Sequence, residues 1–150
     1  MKRLVPLLAA VICVQACGQR PQEPSVTVEE AVVTLPAVPG RPGAAYFTLR
    51  TNNDPTRLTG ISSPQVGRIE LHETVRQDGV SRMDPIRDTI FSPDAPLTFV
   101  PGGRHAMLVD MDPSLRAGGR LRLTFTFEPA PQVTVEAEVR APGDAGDHGH

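Results

Sequence analysis

Short stretches in which apolar and polar residues alternate run through most of this chain, separated by residues that form turns. In residues 121–127, Leu and Phe occupy every second position, with Arg and Thr between them. Residues 133–139 repeat the alternation with Val and Ala. A period of two is typical of β-strands that are buried on one face. These two stretches therefore predict an amphipathic β-hairpin.

Similar stretches continue back along the chain to residue 26. Seven further strands are predicted, at residues 26–35, 44–49, 57–62, 68–75, 80–86, 97–100 and 105–111. Between two of them, the Asp78-Gly79 pair favours a tight hairpin turn. No stretch shows a helical period over three turns. About eight to ten short strands with turn signals between them predict one all-β domain over residues 26–140, built as a sandwich or a barrel.

The composition argues against nucleic-acid binding. The net charge is −2, so the chain lacks the basic field that attracts nucleic acid. With five Phe, one Tyr and no Trp, it also has few platforms on which bases could stack. The predicted domain of about 115 residues is long enough to bury a proper core. We therefore expect it to fold without a metal or a disulfide.

The N-terminal residues predict export and a lipid anchor. A basic start is followed by an apolar run over residues 4–14, and Cys17 follows the small residue Ala16. This order is typical of a secretory signal peptide, and the run is shorter than the about 20 apolar residues of a membrane-spanning helix. Because Cys17 resembles the acylated Cys of a bacterial lipobox, we predict a signal peptide at residues 1–16 and a lipidated Cys with a Pro-rich tether at residues 17–25. The alternative is an ordinary signal peptide with an incidental Cys.

The lipobox analogy predicts a periplasmic protein held on a membrane by its lipid. It favours the outer membrane, because Gln19 is not the Asp that retains lipoproteins at the inner membrane. Cys13 leaves with the signal peptide and Cys17 carries the lipid, so the mature domain has no thiol.

The last ten residues, 141–150, have no apolar face and are predicted to be disordered. They carry His148 and His150, two residues apart. One interpretation is a metal site on the tail, where the two imidazoles hold copper(II) or assist transfer of copper to another site in the chain. The other is a solvated tail with incidental histidines.

Two imidazoles and two thioethers are spaced along the predicted strands. His72 and Met83 lie on either side of a hairpin turn, while His105 and Met107 are two residues apart and so point to one side of a strand. Thioether sulfur is soft and neutral and suits copper(I), and imidazole suits copper in either oxidation state. Outside the cytoplasm a thiolate site would be exposed to disulfide formation. Taken singly, a Met on a strand is usually a core residue and a His usually a surface residue, and we assign Met111 to the core.

Other sites with these residue types fit poorly. A blue-copper centre needs a Cys thiolate with two His, and the mature chain has none. The zinc-protease pattern HExxH begins at His72, but Arg76 stands where the second His is required. The sequence contains neither a G-x-S-x-G elbow nor a phosphate-binding loop. We therefore expect a protein that is not an enzyme.

The frame formed by His72, Met83, His105 and Met107, H-x10-M-x21-H-x-M, resembles that of the periplasmic copper-A chaperone family. The surroundings are also similar, notably AAYFTL at residues 44–49, VGRIELHE at residues 66–73 and PGG at residues 101–103. The resemblance covers about residues 26–140. Two departures are the lipobox, since members are commonly soluble, and Ala106, where a larger apolar residue is usual.

The resemblance implies a cupredoxin-like or immunoglobulin-like β-sandwich. It also implies that His72, Met83, His105 and Met107 bind one copper(I) ion, which is delivered to the dinuclear copper centre of a respiratory oxidase. The partner would be a copper-accepting oxidase subunit or another copper-transfer protein. Two alternatives stay open: an envelope lipoprotein that buffers copper or gives resistance to it, and a metal-free immunoglobulin-like lipoprotein that binds another envelope protein.

Overall fold

The computed structural model describes residues 25–52, 55–87 and 89–144. Its ten strands, in chain order, are β1 (Val26–Thr34), β2 (Gly43–Thr51), β3 (Thr56–Ser62), β4 (Val66–Gln77), β5 (Val80–Pro85), β6 (Ile90–Phe91), β7 (Leu97–Phe99), β8 (Arg104–Met111), β9 (Arg120–Glu128) and β10 (Val133–Arg140). In these residues there is no helix of the length and apolarity that a membrane crossing requires. The predicted signal peptide, Cys17, His148 and His150 lie outside the described residues and stay predictions.

The strands form one continuous sheet in the order β5-β4-β8-β2-β1-β10-β9-β3-β6, with β7 paired to β2 beside this path. β1 and β10 are parallel, and the other pairs are antiparallel. The sheet turns over on itself, because Phe47 of β2 and Phe125 of β9 are not on neighbouring strands, yet their rings meet edge to face at 4.9 Å between centroids. The result is a two-layer sandwich around one core. The prediction of a single all-β, cupredoxin-like or immunoglobulin-like sandwich with eight to ten strands is confirmed.

Alternation along the strands decides which residues enter this core. In β9, the side chains of Leu121, Leu123 and Phe125 are fully buried, as their period of two predicts. In β8, Ala106 and Leu108 are fully buried in the same way. The neighbouring positions 105 and 107 therefore face the other side of the sheet, away from the core.

Three local features refine the predicted elements. Asp78 and Gly79 both have positive φ, 51° and 78°, which fits the type I′ turn that Asp-Gly pairs favour. The two-residue strand β6 was not predicted. In β1 the register shifts between Glu29 and Val32, with Glu30 at a φ of 53°. Such a bulge changes which residues point inward along the strand.

Candidate metal site

His72 and His105 lie directly opposite each other on the paired strands β4 and β8. Their ring centroids are 6.0 Å apart and the ring planes are tilted by 34°. At an ordinary metal–nitrogen distance of about 2 Å, one ion could contact one nitrogen of each ring. The pairing of these two strands brings together residues that are far apart in the sequence.

The two methionines lie on either side of the histidine pair. Met107 is two residues from His105 on β8 and shares its face of the sheet. Met83 on β5 is opposite Thr74, which is two residues from His72 on β4. Met83 is 61% exposed, whereas His105 is only 8% exposed. The four predicted ligands therefore share one outer face, with one thioether open to solvent and one imidazole shielded from it.

Hydrogen bonds assign the nitrogen that each ring has available for a metal. The Nδ1 of His105 is 3.2 Å from the carbonyl oxygen of Gly103. Because a carbonyl only accepts, Nδ1 carries the hydrogen and Nε2 holds the lone pair. The Nε2 of His72 is 3.2 Å from Oε2 of Glu70, so His72 donates through Nε2.

The Nδ1 of His72 is buried and has no hydrogen-bond partner among the described residues. A buried polar atom without a partner typically costs about 1–3 kcal/mol. A metal ion contacting this lone pair would remove that cost. The unpartnered nitrogen is the feature of the site that fits a bound metal best.

Glu70 accepts from two side chains. Its Oε1 is 2.6 Å from Nε of Arg68, and its Oε2 accepts from His72. These hydrogen bonds, that of Arg68 above all, lower the pKa of the Glu70 carboxyl. Glu70 is therefore a carboxylate beside the outer edge of the His72 ring.

An open depression of about 390 Å³ lies against the site. Tyr46 reaches it from β2, and burial raises the pKa of its phenol, which therefore stays neutral. The Oγ1 of Thr34 is buried without a hydrogen-bond partner in the described part of the chain. The lining residues are Thr34, Leu35, Pro42, Gly43, Ala44, Tyr46, Thr74, Met83, Gly102, His105 and Met107.

The family profile described as "Putative lipoprotein LpqE-like" matches residues 26–139. The chain belongs to this family. A protein of Rickettsia prowazekii is 34% identical over 138 residues, which are 91% of this chain and 70% of the relative. A protein of Leifsonia xyli, which like the family is described as a lipoprotein, is 24% identical over 139 residues. These are 91% of this chain and 84% of that protein.

Solved structures relate the LpqE-like chain to copper proteins. The copper-bound PCuAC domain from PmoF2 is 27% identical with a TM-score of 0.60, and the match covers 78% of this chain and 93% of that domain. The copper(I) form of DR1885 from Deinococcus radiodurans is 26% identical with a TM-score of 0.56, and the match covers 83% of each chain. The resemblance to the periplasmic copper-A chaperone family is thereby confirmed.

In this LpqE-like protein, sequence reasoning missed the residues around the ligand set. Arg68, Glu70 and Tyr46 were not singled out. One signal was available for Glu70, because it lies two residues before His72 on a predicted strand and so shares its face. Met111, which was assigned to the core, packs against the core cluster in the structure.

Proposed function

We propose that this protein is an extracytoplasmic copper(I) chaperone. It binds one ion through His72, Met83, His105 and Met107 and passes the ion by ligand exchange to a copper protein, specifically the dinuclear copper centre of a respiratory oxidase. The observation that carries this proposal is the buried Nδ1 of His72, which has no hydrogen-bond partner among the described residues, in a ring whose centroid is 6.0 Å from that of His105. The similarity to the copper-bound PCuAC domain from PmoF2 and to the copper(I) form of DR1885 supports the same metal.

Exchange requires that one side of the site be open. Met83 lies on β5, the strand at one end of the sheet order, and is 61% exposed. An incoming ligand could replace this thioether while the shielded His105 still holds the ion. We therefore assign Met83 to the exchanging position and His105 to the retaining position.

A competition titration with copper(I) tests the ligand set. We expect one ion per chain in the mature protein. For His105→Ala, the affinity should fall by more than the roughly 100-fold that loss of an outer-shell partner can cause. Met83→Leu should weaken binding, and Val80→Ala, which truncates a 69% exposed residue of the same hairpin, should not. Copper(I) binding that is unchanged in both ligand variants would refute the site.

Growth of a deletion strain separates delivery from buffering. Loss of oxidase activity under low copper supports delivery, whereas sensitivity to excess copper alone supports an envelope buffer. The lipid anchor on Cys17 belongs to the same proposal. Replacement of Cys17 by Ala should move the protein from the membrane fraction to the soluble fraction, and fractionation of the envelope tests whether the outer membrane holds it.

Titration with copper(II) tests the role of the tail histidines. Removal of residues 141–150 should weaken copper(II) binding and leave copper(I) binding intact if His148 and His150 form a second site. Equal copper(II) binding with and without the tail would refute that second site and leave the main site untouched.

A further inference from the structure

We propose that Glu70, held by Arg68, is a positioning residue that keeps the hydrogen of His72 on Nε2 and leaves Nδ1 as the nitrogen that binds copper. This inference rests on the proposed copper(I) function. It concerns how the ligand is oriented and which atom of it binds, which the ligand spacing does not specify.

The geometry of the Glu70 carboxylate identifies the ring nitrogen of His72 that carries the hydrogen. Glu70 and His72 are two residues apart on β4 and share one face of the sheet. Each oxygen of Glu70 has its own donor: Arg68 at 2.6 Å on Oε1 and His72 at 3.2 Å on Oε2. A carboxylate only accepts, so the ring nitrogen facing it carries the hydrogen.

The other ring nitrogen of His72 is left with the lone pair. With Nε2 donating, the lone pair of neutral His72 is on Nδ1, and Nδ1 is the atom that is buried without a partner in the described residues. Metal-binding His residues commonly donate their second ring N–H to a carboxylate, which fixes the ring and raises its basicity as a ligand. The hydrogen bonds from Arg68 and His72 to Glu70 form the same arrangement of a carboxylate and a metal-binding histidine.

Glu70 itself is poorly suited to bind copper(I). A carboxylate is a hard ligand, and copper(I) favours thioether sulfur and imidazole. On β8 the residue opposite Glu70 is Met107, which supplies a soft ligand at that level of the site. Glu70 is therefore assigned to the ring of His72 and not to the metal.

The experiment compares Glu70→Ala with Glu70→Gln in the mature protein. In Glu70→Ala we expect the copper(I) affinity to fall by about 10–100-fold. The Gln side chain keeps an oxygen acceptor for the Nε2–H and should therefore retain most of the affinity, which a lost metal ligand would not allow. Arg68→Ala should weaken binding less than Glu70→Ala does, because the carboxylate remains.

A matched control is available on another part of the sheet. Glu136, an exposed carboxylate, is likewise paired with an arginine: its Oε1 is 2.8 Å from Nε of Arg122 on the neighbouring strand. Glu136→Ala removes the same kind of ion pair without changing the partner of a histidine. It should leave copper(I) binding unchanged.

A second readout uses the metal-free protein. With the ring nitrogens labelled with 15N, the Nε2–H proton of His72 should be visible and slow to exchange in the unsubstituted protein and in Glu70→Gln. It should exchange rapidly in Glu70→Ala. In the copper(I)-loaded protein, the 15N shift that moves on binding should be that of Nδ1.

The outcomes distinguish this inference from the proposed function. If the unsubstituted protein binds copper(I) and Glu70→Ala binds it as tightly as Glu136→Ala does, the positioning role is wrong and the chaperone proposal stands. Coordination of copper(I) through Nε2 would also overturn the positioning role. If the unsubstituted protein binds no copper(I), the proposed function fails, together with the metal-binding role given to Nδ1.

Discussion

Three methionines, one on β5 and two on β8, have three different environments. Met83 is 61% exposed, Met107 is partly buried beside His105, and Met111 is partly buried against the core. The sulfur of Met111 lies so close to Gly43 that a Cβ added to this glycine would meet it at 2.5 Å. A thioether packed in this way helps to fill the space at the start of β2. Register and burial, more than residue type, therefore separate candidate ligands from core residues.

This contrast gives a prediction for a matched pair of substitutions. Met107→Leu removes a thioether from the site and should weaken copper(I) binding, whereas Met111→Leu should not. Both exchanges nearly conserve volume, so each should lower the free energy of unfolding by less than about 1.5 kcal/mol. Competition titration measures the affinity and chemical denaturation the stability. Equal copper(I) affinities for the two variants would contradict the assignment of Met107.

At the scale of the element, the β4–β5 hairpin carries Met83 at the end of the sheet. Six residue pairs join these two strands, and in the sheet order β5 has one neighbour, β4. The turn at Asp78 and Gly79 is the other constraint on β5, with both residues at positive φ. The position of Met83 relative to His72 therefore depends on a short ladder and on the conformation of this turn.

A change in the turn should alter copper(I) binding, because it should displace Met83. An alanine at position 79 would have to adopt the left-handed conformation, which costs about 1–2 kcal/mol. We expect Gly79→Ala to loosen β5, raise hydrogen exchange of its amides and weaken copper(I) binding. Gly60→Ala is the control, since nothing lies within 4 Å of the added Cβ and Gly60 is not among the positive-φ glycines. Unchanged affinity in Gly79→Ala would show that Met83 does not depend on the turn.

The elements also show how far sequence reasoning reaches. The hairpin of β9 and β10 and the Asp78-Gly79 turn were predictable, because alternation and turn chemistry are local. The strand β6 has only Ile90 and Phe91, too few residues for a period of two. The bulge in β1 and the pairing of β4 with β8 depend on distant parts of the chain. The sequence therefore proposes the four ligands, whose metal binding stays a prediction, but it does not predict the direct opposition of His72 and His105.

At the scale of the whole molecule, the core and the candidate site lie on different sides of the sheet. The core joins both layers through Phe47, which stacks on Phe99 at 4.5 Å and meets Phe125 at 4.9 Å. In β8 the side chains of Ala106 and Leu108 lie in the core, whereas residues 105 and 107 lie on the face of the candidate site. The two cysteines of the sequence, at positions 13 and 17, precede the first strand that the structure describes. Among the described residues, the hydrophobic core cluster contains no cysteine and none of the four candidate ligands.

This separation predicts that copper(I) is cargo for a domain that is already folded. The metal-free protein should unfold in one cooperative transition that neither a chelator nor a reductant shifts. Added copper(I) should stabilise it only by mass action, by about 2.7 kcal/mol when the free ion is at 100 times the dissociation constant. In Met83→Leu the metal-free transition should stay in place, because this side chain is mostly exposed, and the gain from copper(I) should shrink. Calorimetry measures both quantities. Unfolding by a chelator would instead make the metal part of the fold, and a protein that must keep its metal to stay folded could not give it away.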